Sequence, residues 1–135
     1  MVSNFAKPIL ASSLPHSFRK IRLELARESE HPEGDAQFSY TLIAPLNSLS
    51  QIDHDTWRSY QEASRIIRQR PGKQVAAGHI IRDESGTWTF HYEEHGGEDE
   101  IGYRLSDERF TVGEYISILG EDGTHVYKVA SVERL

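Results

Sequence analysis

A two-residue alternation of apolar and polar side chains recurs along this chain, in pairs of segments joined by turn residues. This period is that of a strand with one buried face. Segments 18–28 and 36–46 both show it, and Pro32 and Gly34 lie between them as turn formers. Their apolar faces are Ile21, Leu23 and Leu25 in the first segment and Phe38, Tyr40, Leu42 and Ala44 in the second. The pattern therefore predicts an antiparallel hairpin.

A second hairpin is predicted from segments 73–83 and 87–94, joined by Glu-Ser-Gly. A three-residue loop ending in glycine fits a type I turn followed by a glycine bulge. This loop pairs His79 with His91 across the strands and places them on the polar face. The opposite face, predicted to lie in the core, holds Ile80, Trp88, Phe90 and Tyr92.

A third hairpin is predicted in segment 110–135, with Asp122-Gly123 as its two-residue turn. That turn pairs Ile118 with Tyr127 on one face. The pairing of Ile116 with Val129 follows on the same face, and segment 101–105 is predicted to form a short additional strand.

Residues 46–72 break the alternation. Asp53 or Asp55 could cap a helix that continues through residues 56–70 and stops at Pro71-Gly72. The alternative is a short helical turn followed by a strand at residues 63–69, and the helix is favoured. The predicted fold is mainly β, or β-rich α+β. It is a small bent antiparallel sheet or barrel of three hairpins with one helix, formed by a single domain over residues 17–135 after a flexible N-terminal arm of residues 1–16.

Composition excludes several classes of site. The chain contains no cysteine, which rules out disulfides, thiolate metal sites and cysteine nucleophiles. Its 21 acidic and 15 basic residues give a net charge of −6, which disfavours nucleic acid and anionic membranes as partners. No apolar stretch approaches the roughly 18 residues that span a bilayer. With no secretory leader evident, we expect a cytoplasmic protein without membrane contact.

One candidate site is a histidine face on the second hairpin. The predicted register places His79 opposite His91, and Glu93 and His95 follow along the same strand face. Imidazole nitrogens with a carboxylate suit zinc or another first-row divalent metal. A metal-dependent enzyme or metal-binding protein is therefore one alternative. The other interpretation is a solvated polar face beside an acidic loop at residues 98–100.

A second candidate is a basic surface. Arg65, Arg68 and Arg70 surround the end of the predicted helix, and Trp57 and Tyr60 could provide stacking rings. Small barrels that bind single-stranded nucleic acid combine these features. The competing interpretation places both aromatic residues in the core, and the negative net charge also opposes nucleic-acid binding.

Residues 109–118, Arg-Phe-Thr-Val-Gly-Glu-Tyr-Ile-Ser-Ile, resemble a strand of the flavin-binding barrel in ferredoxin-reductase-type enzymes. The simpler interpretation is that Gly113 lets the chain turn into a barrel strand, with Val112, Tyr115, Ile116 and Ile118 packed. The Arg-x-Tyr-Ser segment that holds the flavin phosphate in those enzymes is absent. We therefore interpret the segment as a barrel strand and predict no flavin.

No serine lies in the glycine-flanked turn of a hydrolase, and no acid pair stands out as catalytic. The favoured prediction is a non-catalytic cytoplasmic binding or adaptor module for a protein or small ligand. Aromatic residues and arginines dominate binding surfaces. The predicted binding residues are Trp57, Tyr60, Tyr103 and Arg104, together with Arg65 and Arg68.

Overall fold

A computed structural model describes residues 13–103 and 107–135. Eight antiparallel strands close into a barrel in which each strand pairs with its neighbours in sequence and the last pairs with the first. The strands are β1 (Phe18–Leu25), β2 (Asp35–Pro45), β3 (Arg65–Gln69), β4 (Ala76–Arg82), β5 (Trp88–Glu94), β6 (Glu100–Tyr103), β7 (Tyr115–Gly120) and β8 (Gly123–Arg134). The predicted mainly-β barrel is confirmed, whereas most of the predicted N-terminal arm, residues 1–12, lies outside the described residues.

Two of the predicted hairpins are confirmed, and the second has the predicted register. Strands β1 and β2 pair with Leu23 opposite Tyr40, and the apolar faces of both strands point into the barrel. Strands β4 and β5 pair with His79 opposite His91. In this second hairpin Trp88, Phe90 and Tyr92 are buried, as their alternation predicts.

The third hairpin has the predicted faces but a different register. Gly120 lies opposite Gly123, so that Ile116 pairs with Tyr127 and Ile118 pairs with His125. The predicted pairing is wrong by two residues because the turn residues are 121–122, and Gly123 follows them with a φ of 102°. A shift of two residues keeps every side chain on its own face. The predicted packing of Val112 and Tyr115 is also wrong, since these side chains are 61% and 56% exposed.

The predicted long helix is wrong, and the alternative of a short helix followed by a strand is confirmed. Helix α1 covers only His54–Ser59, with Asp53 as its N-cap, and a single 3₁₀ turn follows at Gln61–Ala63. Strand β3 then forms hydrogen-bonded pairs with both β2 and β4. A helix in its place would leave both neighbouring strands with an unpaired edge, so closure of the barrel outweighs local helix propensity.

The two ends of the barrel differ in their connections. Helix α1 and the loops 83–87 and 107–114 lie at one end, which we call the helix-covered end. The loops 26–34, 70–75, 95–99 and 121–122 meet at the other, which we call the mouth. Within the described residues, no helix is both long and apolar enough to cross a membrane.

Candidate functional site in the barrel mouth

The interior of the barrel is apolar near the helix-covered end and polar near the mouth. Ile66, Ile80 and Phe90 are fully buried in the deeper part. Towards the mouth, tyrosine, arginine and glutamate side chains replace them. This group, which we call the mouth cluster, consists of Tyr40, Arg68, Arg70, Tyr92, Glu100 and Tyr127.

Glu100 is the centre of the mouth cluster. It is 3% exposed, and it is the only charged residue in the buried core of the described ranges. Its Oε1 accepts hydrogen bonds from the Tyr40 hydroxyl at 2.9 Å and the Tyr92 hydroxyl at 2.5 Å. Its Oε2 lies 3.1 Å from Arg68 and 3.3 Å from Arg70. Four partners occupy the carboxylate, which compensates the free energy that its burial costs.

The two arginines that contact Glu100 differ in their other contacts and in their exposure to solvent. Arg68 also donates to the Gly96 carbonyl at 3.3 Å and lies over the Tyr92 ring at 4.7 Å from its centroid. Its side chain is only 13% exposed. The Arg70 side chain is 27% exposed and reaches the cavity above the cluster. Two guanidinium groups against one carboxylate leave one positive charge in excess, and Arg70 presents that charge to the cavity.

Burial keeps the tyrosines of the cluster protonated. It raises the pKa of Tyr40 and of Tyr92, and the negative charge of Glu100 raises both further. Burial also raises the pKa of Tyr127, against the effect of nearby Arg70. Each hydroxyl therefore keeps its proton at neutral pH. Tyr40 and Tyr92 can then donate hydrogen bonds to the Glu100 carboxylate.

Two glycines leave room for this arrangement. A Cβ atom on Gly96 would lie 2.1 Å from Cγ of the Tyr92 ring, and one on Gly120 would lie 2.7 Å from Oε2 of Glu100. Because the Glu100 carboxylate is held by four partners, it could move aside only by lengthening those hydrogen bonds. Both positions therefore require glycine for the cluster to form.

A cavity of about 490 Å³ opens at the mouth, and Arg70 is part of its lining. Leu25, Phe38 and Tyr127 form its apolar and aromatic wall. The volume falls in the range of roughly 300–1,000 Å³ that is typical of small-molecule sites. The cavity thus combines an apolar and aromatic side and the Arg70 cation with a lining that is otherwise polar.

A histidine and glutamate arrangement borders the cavity. The Glu28 carboxylate lies 3.1 Å from Nδ1 of His31 and 2.9 Å from Nδ1 of His125. The hydrogen bond with His125, opposed by partial burial, lowers the pKa of Glu28. These contacts join the 26–34 loop to β8 across the entrance. The other acidic groups of the lining, Glu30 and Asp122, are exposed to water.

The predicted histidine face is present on the outside of the barrel, but its members bond in separate pairs. Nδ1 of His79 lies 2.7 Å from Glu93, and Nε2 lies 3.2 Å from the Glu62 carbonyl. His91 instead lies 2.8 Å from Asp99. His95 begins the 95–99 loop with a positive φ of 54°. In the described ranges, no group of three or more potential ligands is placed to hold a metal, and the metal hypothesis stays a prediction.

The predicted binding residues do not share one surface. Trp57 is 6% exposed and donates its indole N–H to the Ile80 carbonyl at 2.8 Å. Tyr60 is partly exposed beside it, with its ring against Phe18. Arg65 faces outward from β3, whereas Arg68 points into the barrel.

Tyr103 ends β6 near the helix-covered end, and Arg104 lies outside the described residues. The protein-binding rim and the nucleic-acid surface both remain predictions.

The mouth cluster as a unit is not predicted from the sequence. The alternation predicts interior positions for Tyr40 and Tyr92, whereas Glu100 falls in an acidic run that is predicted to be solvated. One signal was present: if residues 65–70 form a strand, Ile66, Arg68 and Arg70 share one face. Two arginines on the face of a buried isoleucine indicate that a carboxylate must lie inside the barrel.

Comparison with protein-family models finds no match for this chain, and comparisons with curated proteins and with solved structures find none either. The fold and the site together therefore define the class only as a closed eight-stranded antiparallel barrel with a charged cluster beneath its mouth.

Proposed function

We propose that the protein is a non-catalytic binding module that takes a small ligand into the mouth of its barrel. The observation that carries this proposal is the position of Arg70, at the base of a cavity of about 490 Å³ with Phe38 and Tyr127 in its wall. Ligand sites usually combine a concave apolar wall with a few fixed polar groups. The mouth cluster holds Arg70 in place through buried partners.

A binding role is favoured over catalysis because the acid in the cluster is already occupied. Glu100 is bonded to two tyrosines and two arginines, so no oxygen of its carboxylate is left to accept a proton from a substrate. The cluster instead resembles a rigid support that fixes the direction of Arg70. Such support is what precise recognition of a small ligand requires.

A larger groove of about 780 Å³ runs along the outer wall, past Val112, Tyr115 and Val126. Its charged groups, which include Arg27 and Lys128, are exposed to water rather than held by buried partners. Water competes strongly for such groups. We therefore place the ligand in the mouth, and the outer groove provides a comparison site on the same molecule.

The proposal is tested by screening small organic fragments against ¹⁵N-labelled protein and mapping the amide shifts. We expect saturable shifts at Leu25, Phe38 and Tyr127, with the amides around Val112 and Tyr115 unchanged. A Phe38→Trp variant, which fills part of the cavity, should weaken these responses. Shifts confined to the outer groove, or the absence of saturable shifts at the mouth, would overturn the proposal.

A further inference from the structure

We propose that the ligand of the mouth is a small monocarboxylate with an aromatic or branched apolar body, its carboxylate bound by Arg70. This inference rests on the proposed binding function and adds the chemical class of the ligand. It follows from the charge of the mouth cluster, the apolar and aromatic side chains in the cavity lining, and the positions of the acidic residues at the entrance.

The first step is the charge at the base of the cavity. Arg68 and Arg70 together meet one carboxylate, that of Glu100. Arg68 also donates a hydrogen bond to the Gly96 carbonyl and lies over the Tyr92 ring. Arg70 makes one contact of 3.3 Å with Glu100 and interacts with Tyr40 and Tyr127, although a guanidinium group carries five N–H donors. Donors therefore remain on the exposed part of Arg70 for a second anion.

The second step is the geometry that a guanidinium group prefers. Its planar fork matches the two oxygens of a carboxylate, which it can bind through two parallel hydrogen bonds. The neighbouring Tyr127 hydroxyl also interacts with Arg70 and keeps its proton. A carboxylate at this position meets a fixed cation in a partly dry environment, where such a contact is stronger than in water.

The third step distinguishes a monoanion from a dianion. The excess charge at the base is a single positive one, whereas Glu28, Glu30 and Asp122 line the upper cavity. Glu28 is occupied by His31 and His125, but the other two acids face the entrance. A phosphate dianion would meet their repulsion without a second cation to offset it. One negative charge matches the site better.

The fourth step concerns the body of the ligand. The apolar part of the lining is formed by Leu25, Phe38 and Tyr127, and the Phe38 ring makes an edge contact with His31 at 5.1 Å. Aromatic walls favour a flat ring through stacked or edge contacts. The cavity volume suits a molecule of one or two rings.

The test compares hydrocinnamate, its neutral amide and phenyl phosphate by isothermal titration and amide shift mapping on the full chain. We expect hydrocinnamate to shift the amides of Leu25, Phe38 and Tyr127 and to bind at least about tenfold more tightly than hydrocinnamide, since charged hydrogen bonds commonly contribute this much. Phenyl phosphate should bind more weakly than hydrocinnamate. Comparing ligands on the natural protein requires no variant to fold.

Variants on strand β3 and the residue after it provide the matched control. Arg70→Met should weaken hydrocinnamate binding at least about tenfold. Arg65→Met, on the outer face of the same strand, should leave it within about twofold. Arg70→Lys should restore part of the affinity, because the charge returns without the fork.

The outcomes separate the two proposals. If the amide binds at the mouth as tightly as hydrocinnamate, or if Arg70→Met has no effect, the ligand class is wrong while the binding function stands. Tighter binding of phenyl phosphate would overturn the choice of a monocarboxylate. If no compound in either screen shifts the amides of the mouth, the binding function itself fails.

Discussion

The helix-covered end and the mouth of this barrel are both lined by aromatic rings, but they bury them by different means. At the helix-covered end the rings of Trp57 and Trp88 meet edge to face at 5.0 Å, and one indole N–H is satisfied by a backbone carbonyl. At the mouth, two tyrosine hydroxyls converge on the charged Glu100. One end is closed by apolar packing, and the other is held by a buried charge network.

The difference has an energetic meaning. Apolar burial stabilises a fold directly and in proportion to the area removed from water. A buried ion cluster contributes little net stability, because desolvation offsets most of the attraction, yet removing one member is strongly destabilising. Apolar packing at the helix-covered end is therefore expected to contribute more to the free energy of folding than the charged cluster at the mouth. The mouth maintains a fixed cation, Arg70, beside a cavity, which is the property that a binding site needs.

The largest expected effect comes from the packed end. Trp88→Ala removes a ring that is 2% exposed and leaves a cavity beneath α1, so we expect a loss of about 3–5 kcal/mol in the free energy of unfolding. Urea titration followed by circular dichroism measures it. Tyr115→Ala, at a side chain 56% exposed, is the control and should change stability by less than about 0.5 kcal/mol. Equal effects at the two positions would contradict the packing described for this end.

The next effect tests the charge network. Glu100→Gln keeps the shape of the side chain but leaves Arg68 and Arg70 without their counter-charge, and we expect a loss of about 3 kcal/mol. The double variant Glu100→Gln, Arg68→Met should be more stable than the sum of its single changes predicts. A double-mutant cycle measures this coupling, and strictly additive effects would show that the two residues do not interact.

The third prediction concerns alkaline pH. The folded protein raises the pKa of Tyr40 and of Tyr92 above the ordinary value of 10.0, so the protonated hydroxyls stabilise the fold fully below pH 10.0. Above it the unfolded chain loses these protons first, and stability falls by up to about 1.4 kcal/mol per tyrosine for each pH unit.

Denaturant titrations across this range measure the slope, with tyrosinate absorbance recorded in parallel. Tyr92→Phe, which removes one of the hydroxyls with a raised pKa, should flatten it. An identical slope in the natural chain and in Tyr92→Phe would show that this tyrosine ionises freely.

The smallest effect is expected at the cap of α1. Asp53 accepts hydrogen bonds from the backbone N–H groups of Asp55 and Thr56, at 3.2 and 3.4 Å. Asp53→Ala should lower the free energy of unfolding by about 1 kcal/mol. Asp53→Asn, which retains an acceptor oxygen, is the matched variant and should lose less. If both variants lose the same amount, the cap hydrogen bonds contribute little and the charge of Asp53 is what matters.

Much of the barrel is predictable from the local pattern. The two-residue alternation of Ile21, Leu23 and Leu25 identifies β1 and its buried face, and the Glu-Ser-Gly loop sets the register that places His79 opposite His91. The predicted register of the last hairpin was wrong because one glycine can serve at two positions of a tight turn. The predicted buried and exposed faces of this hairpin are still correct, because a shift of two residues keeps every side chain on the same side of the sheet.

Other features depend on partners distant in the chain. Residues 56–70 are predicted to form one helix when considered alone, yet residues 65–69 become β3 because β2 and β4 need a strand between them. Closure of the barrel depends on all eight strands together, so it cannot be predicted from any short segment of the sequence.

The strand faces and the register of the second hairpin follow from local sequence, which also limits the helix cap to Asp53 or Asp55, because each depends on residues within one turn or one strand pair. The burial of Glu100, by contrast, depends on the closed barrel. Its partners Tyr40 and Arg70 are 60 and 30 residues away in the chain. A carboxylate can leave water only where its counter-charges already lie, and those positions exist only once the barrel has closed.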